Sequence, residues 1–358
     1  MPSLKEIKGR INSISSTLAI TSAMKMVAAA KLQKAQMAIQ NMLPYERRLY
    51  SMLVDLMGAM NISAAASEDG SVRGSGSAER GFDQSGDRLS LSNRHDLAGM
   101  DGAYSLMAQR EVRKVAIVAF ASNSSLCGAF NSNVIREATA VINEYRASGL
   151  RDSDIVVYSV GRKMAEAMRK LGFPSPADFT KMSDSPSYEA ASALAQELLD
   201  GFVSGRFDKV ELVYNHYKST SSQPTTRQTY LPLSLADATA DLQAGKIADS
   251  ASESDTNRGA EPVGAPVVRQ GSPTTEDLIV EPSKEALIAT LLPKVIRLRI
   301  FTTLLDSAAA EHAARTVAMQ LATDNGNDLL QELTLEYNKG RQQKITSEIL
   351  DLVGGSMQ

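Results

Sequence analysis

Cys127 is the one cysteine of the chain, and it follows an apolar run, a place where nucleophiles of α/β enzymes often stand. Its neighbours, Ser125-Leu126-Cys127-Gly128-Ala129-Phe130, lack the G-x-S-x-G turn, and no histidine is spaced to act as its base. A small buried hydrophobe fits these residues better. His95, His216 and His312 share no ligand spacing with each other or with Cys127, so no metal site is expected. Gly128 and Gly161 belong to no G-x-G-x-x-G, and a G-x-x-x-x-G-K-[ST] phosphate loop is missing as well. The expectation is a chain without cofactor or catalytic residues. A different chemistry is written in Ala322 to Ile349, ATDNGNDLLQELTLEYNKGRQQKITSEI. A solvated helix face would favour Glu and Lys. Here Thr, Asn, Gln, Asp and Arg crowd the stretch, and amides and hydroxyls both donate and accept, which suits contacts that are made and remade. The run is read as a helix that touches other protein surfaces.

The elements that must carry it follow from spacing. From Ser283 to Leu352, Leu287, Leu291, Val295, Leu298, Leu305, Ala308, Leu321, Leu329, Leu333, Ile345, Ile349 and Leu352 fall at helical intervals. An unbroken helix of that length spans roughly 100 Å, too long to be covered by its own domain. It needs a second helix beside it and further protein around it. Pro293 lies in its first turns; Gly326 and Gly340 suggest close approach of another backbone, or bending; Gly354-Gly355 is a stop. The partner is at the other end of the chain. Ser3-Leu4-Lys5-Glu6 is a capping box, and Leu4, Ile7, Ile11, Ile14 and Leu18 alternate by three and four. The seam resumes through Ala28, Leu32, Ala35, Ile39, Met42, Leu49, Leu53, Leu56 and Met60, with Pro44 expected to kink the helix without ending it. Between the two runs, Ser22 to Ala30 is apolar on nearly every side except Lys25, the signature of a helix that is surrounded.

The middle reads as a small α/β domain. Val115 to Phe120 and Ile155 to Val160 are buried strands, Asn131 can cap a helix through Val134 to Ile142, and Gly161 turns into a helix with Met164, Met168 and Leu171. Tyr188 to Val203 is a third helix, and Val210 to Tyr214 with Gln228 to Leu233 form a closing hairpin. Strands alternating with helices imply a parallel sheet, with this hairpin adding an antiparallel edge. The fold class is therefore α/β: a long antiparallel coiled coil of N- and C-terminal helices plus a small Rossmann-like domain with a mostly parallel sheet. The expected divisions are 1–60 and 277–358 for the two helices and 105–235 for the globular domain. Segments 61–104 and 236–276 are polar, Ser/Gly-rich insertions; the first reads as solvated linker.

Composition bounds the function. Over 358 residues the net charge is −3, which argues against a chain that coats nucleic acid. No window approaches eighteen uninterrupted apolar residues, so no membrane span is expected, and one cysteine fits a reducing compartment. Two plain readings remain from the residues alone: an α/β enzyme with a coiled-coil arm using Cys127, and a structural coiled-coil adaptor.

Longer motifs point further. Ile11 to Gln36, with ITSAMKMVAAAKLQKAQ, and Ala313 to Ile349, with AARTVAMQLATDN and LEYNKGRQQKITSEI, resemble the gamma subunit of the F-type ATP synthase at both ends. Ser125 to Asn131, SLCGAFN, is similar to that family's loop after the first strand of its globular domain. The departures are Asn123-Ser124-Ser125 where the family usually has Asp-Arg-Gly, Gly340 in place of a common Ala, and the two insertions. With Cys127 alone, the redox cysteine pair of some photosynthetic relatives is impossible. The resemblance implies a central rotor shaft with no catalytic site and no cofactor. Its partners would be a ring of alternating alpha and beta subunits, the epsilon subunit and the membrane c-ring. Membrane association would come through the Fo sector only, on the cytoplasmic side of a bacterial inner membrane. By motif position it implies that Met24, Arg315, Arg341, Gln342, Thr346 and Glu348 face the ring.

Overall fold

The computed structural model describes residues 3–68, 106, 110–233, 281 and 283–355. Two helices dominate it: α1, Leu4–Glu68, of 65 residues, and α6, Lys284–Gly355, of 72 residues. At α1 the Ser3 hydroxyl accepts the Glu6 amide at 3.2 Å, while the Glu6 carboxylate turns to Arg10 at 2.9 Å. The helix runs through Pro44 and past the boundary expected at residue 60, so residues 61–68 are helical and not part of a polar insertion. The remainder of that insertion, residues 69–104, and all of 236–276 lie outside the described residues, as does His95.

Between the helices lies a four-stranded sheet of order β2-β1-β3-β4. Its strands are β1, Val115–Phe120; β2, Ile155–Val160; β3, Lys209–Asn215; and β4, Thr225–Leu231. The first three are parallel and β4 pairs antiparallel to β3 as the expected hairpin edge. The connecting helices are α2, Phe130–Ala147; α3, Arg162–Lys170; a short α4, Thr180–Asp184, that spacing did not reveal; and α5, Tyr188–Val203. One expectation fails locally. Asn131 does not cap α2, whose first residue is Phe130. Its side chain instead binds the Ser122 amide at 3.0 Å and the Ser124 carbonyl at 3.2 Å, because the loop after β1 offers it unpaired backbone groups. At the β2–α3 turn Gly161 has φ +95°, and a Cβ there would collide with the Ala121 carbonyl.

Alternation along β1 builds two cores. Val115, Ile117 and Ala119 pack against Val134, Val141, Ile142, Met164 and Met168 of α2 and α3. Ala116, Val118 and Phe120 face the other way, onto α5 and the base of the two long helices, among them Leu49, Leu53, Leu56, Leu292, Val295 and Leu298. The lower coiled coil is therefore one covering layer of the α/β domain.

The helices run antiparallel: Tyr50 meets Arg299 at 2.6 Å, Glu46 meets Thr302 at 3.0 Å, and Thr21 meets Thr323 at 3.1 Å. Higher up, the seam on α6 is Thr323, Gly326, Leu330, Leu333, Tyr337 and Gly340, the half-buried positions. Leu321, Leu329, Ile345, Ile349 and Leu352, expected in the seam, are exposed instead. The reason is size. Gly326 and Gly340 receive Leu18 and Leu4: a Cβ on Gly326 would stand 2.6 Å from Leu18 Cδ2, and one on Gly340 3.1 Å from Leu4 Cδ2. The glycines admit side chains of α1, not its backbone, and the large apolar residues turn outward.

Candidate partner interface on the shaft

The sequence places the polar run on the part of α6 that rises clear of the α/β domain. Burial follows that geometry. Ala309, Ala310 and Ala313 are fully covered, Met319 is nearly so, and no described residue beyond it is buried. From residue 341 to 350 every residue is exposed, because α1 begins opposite Gly340 and α6 continues with no neighbour among the described residues.

What is exposed there is not solvent chemistry. Leu321, Leu329, Leu335 and Leu350 stand out at 60%, 50%, 72% and 65% of their surface. Across the seam on α1, Ile20, Met26 and Val27 are exposed at 60%, 65% and 58%. Thus Ser22 to Ala30, expected to be surrounded, is covered on one side only by its own chain. A run of apolar side chains on both helices, interleaved with amides and hydroxyls, matches the composition of surfaces that bind protein.

Four of the six residues singled out lie together on the last turns: Arg341, Gln342, Thr346 and Glu348. The Thr346 hydroxyl donates to the Gln342 carbonyl at 2.9 Å, and Glu348 pairs with Lys344 at 3.8 Å, both on the surface. Met24 is half-buried near the level of Gln320, about 30 Å lower along the axis. Arg315 is elsewhere. Its side chain is 11% exposed, paired with Glu311 at 2.7 Å and donating to Ser124 Oγ at 2.7 Å. It ties α6 to the loop after β1 and does not join the exposed group.

That loop holds without the family's charged pair. Asn123 accepts the Arg162 amide at 2.8 Å and donates to the Thr180 carbonyl at 2.7 Å. Cys127 is buried against Phe130 and Ala310, with Asn131 Nδ2 3.1 Å from its sulfur. Near Arg315 burial raises the Glu311 pKa, with Arg315 opposing. Burial, Arg315 and Lys31 push His312 down to about 4, so it is neutral at neutral pH.

Two further clusters carry no signal in spacing, since their members are far apart in sequence. Asp306 on α6 bonds both His216 Nδ1, at 2.6 Å, and the Tyr217 amide, at 2.8 Å. On the far face of the sheet, buried Glu211 accepts Arg227 and Lys209 and a hydroxyl from Tyr145 at 2.7 Å. Burial would raise the Glu211 pKa, but those three donors hold it below the usual carboxylate value. Between α1, α6 and β3 a crevice of about 410 Å³ is lined by residues including Met42, Tyr50 and Tyr214. Among the described residues no group of three His, Cys, Asp or Glu side chains is placed to hold a metal, and no helix is long and apolar enough to cross a membrane.

Comparison with known proteins adds family context. A family profile for ATP synthase matches residues 3–357. The chain is 46% identical over 357 residues to an ATP synthase gamma chain of Phocaeicola vulgatus, and 45% identical over 358 residues to one of Bacteroides thetaiotaomicron; both alignments cover 100% of each chain. The two polar segments are therefore shared with those relatives. In fold the chain is similar to one in the mitochondrial ATP synthase of Euglena gracilis, seen by cryo-EM as an OSCP/F1/c-ring assembly in rotational state 3. The TM-score is 0.52 at 18% identity, covering 99% of this chain and 93% of that one.

Proposed function

The chain belongs to the ATP synthase gamma-chain family, and on that premise we propose that it is the central rotor shaft of an F1Fo complex. The paired upper helices enter a hexameric ring of alternating alpha and beta subunits. The α/β domain sits at the foot of the shaft against the epsilon subunit and the c-ring. Ion flow turns the c-ring, and the shaft carries that rotation to the beta subunits, which pass in turn through binding, synthesis and release. The observation that carries this reading is the contrast in burial: a domain that closes its own cores bears a paired helix extension whose apolar residues are left uncovered.

The physical task is a bias. A shaft whose faces differ makes different contacts with each beta conformation and shifts their populations as it turns. Arg341, Gln342, Thr346 and Glu348 supply those contacts at the tip, and Met24 lower down. Arg315 serves inside the shaft, given its bonds to Glu311 and Ser124. We assign no catalytic site and no cofactor to this chain; nucleotide and magnesium belong to the partner subunits. It is held at the cytoplasmic face of a bacterial inner membrane through the Fo sector. Arg341→Ala or Gln342→Ala is expected to lower ATPase turnover of the assembled complex by roughly thirtyfold, the equivalent of a desolvated interfacial contact of about 2 kcal/mol. Wild-type turnover in both variants would remove these residues from the interface.

A further inference from the structure

Where the two long helices leave the α/β domain, one carboxylate joins three elements. Asp306 of α6 is 18% exposed. One of its oxygens pairs with His216 Nδ1 at 2.6 Å, and the other accepts the Tyr217 amide at 2.8 Å. The Asp306 hydrogen bond outweighs burial and raises the His216 pKa, which favours the charged pair. Tyr217 passes the grip on. Its hydroxyl accepts Gln36 Nε2 of α1 at 2.6 Å, and its ring packs against Leu32, Ala309 and Ala313. The turn that carries these residues is itself fixed, since the His216 amide donates to the Pro224 carbonyl at 2.9 Å.

The position of this chain of bonds matters. Below it the helices are built into the apolar core of the domain. Above it a second tie, Arg315 to Ser124, holds the loop after β1, and beyond that the helices have only each other among the described residues. On the α6 side Tyr230 donates to the Ile296 carbonyl, ten residues lower and about 15 Å along the axis. The twist of a rod clamped at one end grows in proportion to its free length, so the height of the clamp governs how much rotation is lost.

We propose that Asp306 is a positioning residue of the rotor: its double grip on the β3–β4 turn, extended through Tyr217 to Gln36, clamps both helices to the α/β domain at the height where the shaft becomes free. The proposal rests on the rotor reading. Torque applied to the domain then reaches α1 and α6 together.

The test uses the whole complex in membrane vesicles and reads ions pumped per ATP hydrolysed. Asp306→Ala removes both hydrogen bonds and is expected to lower that ratio by at least about fivefold, while ATPase turnover stays near wild type. Asp306→Glu, which keeps the carboxylate, is expected to restore most of it. A scaffolding role predicts instead that assembly, ATPase and pumping fall together, and that result, or an unchanged ratio, overturns the proposal. If Asp306→Ala does not assemble, Gln36→Leu cuts only the last link and is read the same way. The two readings fail differently. A wild-type complex that keeps turning over with its shaft crosslinked to the ring defeats the rotor reading. A complex stopped by the crosslink, with Asp306→Ala at the wild-type ratio, defeats the clamp alone.

Discussion

The same two helices behave differently in their lower and upper halves. At the base, Leu49, Leu53, Leu292 and Val295 point into a core shared with the sheet, and they are almost completely buried. In the upper half, Leu18 and Leu4 sit over glycines while Leu321, Leu335 and Leu350 point away from the partner helix. The base is closed by its own chain, and in the upper half only the partner helix, among the described residues, covers each helix. Apolar content does not separate them. What separates them is how the seam is filled: large residues packed onto the sheet at the base, and Leu330, Leu333 and Tyr337 interspersed with glycine and threonine above.

That contrast can be broken most sharply by truncation. Leu53→Ala, at a fully buried position, is expected to destabilise the isolated chain by about 2–5 kcal/mol, from lost burial plus a cavity. Leu335→Ala, at 72% exposure, is expected to change it by less than about 0.5 kcal/mol. Denaturant unfolding of both variants checks the pair, and similar losses in the two would erase the distinction.

Charges should sort in the same way. Glu211→Ala leaves Arg227 and Lys209 short of a buried carboxylate and is expected to cost about 3 kcal/mol, whereas Glu348→Ala removes an exposed pair worth less than about 1 kcal/mol. Because the folded Glu211 pKa is lowered, its contribution is complete above the ordinary value of 4.5 and is lost as pH falls through the folded value. Acid titration of stability should therefore show a drop below 4.5 in the wild type that Glu211→Gln lacks.

The smallest effect belongs to the seam. Gly340→Ala brings a Cβ 3.1 Å from the free end of Leu4, which can give way, and it removes the helix penalty of glycine. The expected outcome is a gain of up to about 1 kcal/mol, seen as a raised Tm. A loss there would mean that Leu4 is held rigidly in the glycine notch.

Legibility in the sequence followed locality. Val115 to Phe120, Ile155 to Val160 and Tyr188 to Val203 have the bounds that their apolar runs and flanking polar residues announce. The antiparallel helix pair was legible from two matching periodicities. Its upper register was not, because periodicity weighs large residues and passes over Thr323, Gly326 and Gly340, which share the seam with Leu330, Leu333 and Tyr337. Asn131 looked like a cap because its type suits one, yet the open backbone of the loop after β1 held it more strongly. Gln342 and Thr346 were marked by uncharged polar side chains where Glu and Lys belong, and Arg341 and Glu348 by the family motif alone. Arg315 carried the same motif mark, but no helix sequence states that its guanidinium faces Ser124 and Glu311. Asp306, His216, Tyr217 and Gln36 come from separate elements, so only the fold brings them together.

The most direct measurement of the central claim is a reversible crosslink at the shaft tip. Native Cys127 is buried, so Gln342→Cys adds the one exposed thiol, which can be paired with a cysteine placed on the facing surface of a beta subunit. If this chain is the rotor, oxidation stops ATP turnover of the assembled complex and reduction restores it. Turnover that continues at the uncrosslinked rate with the bond formed would contradict the account.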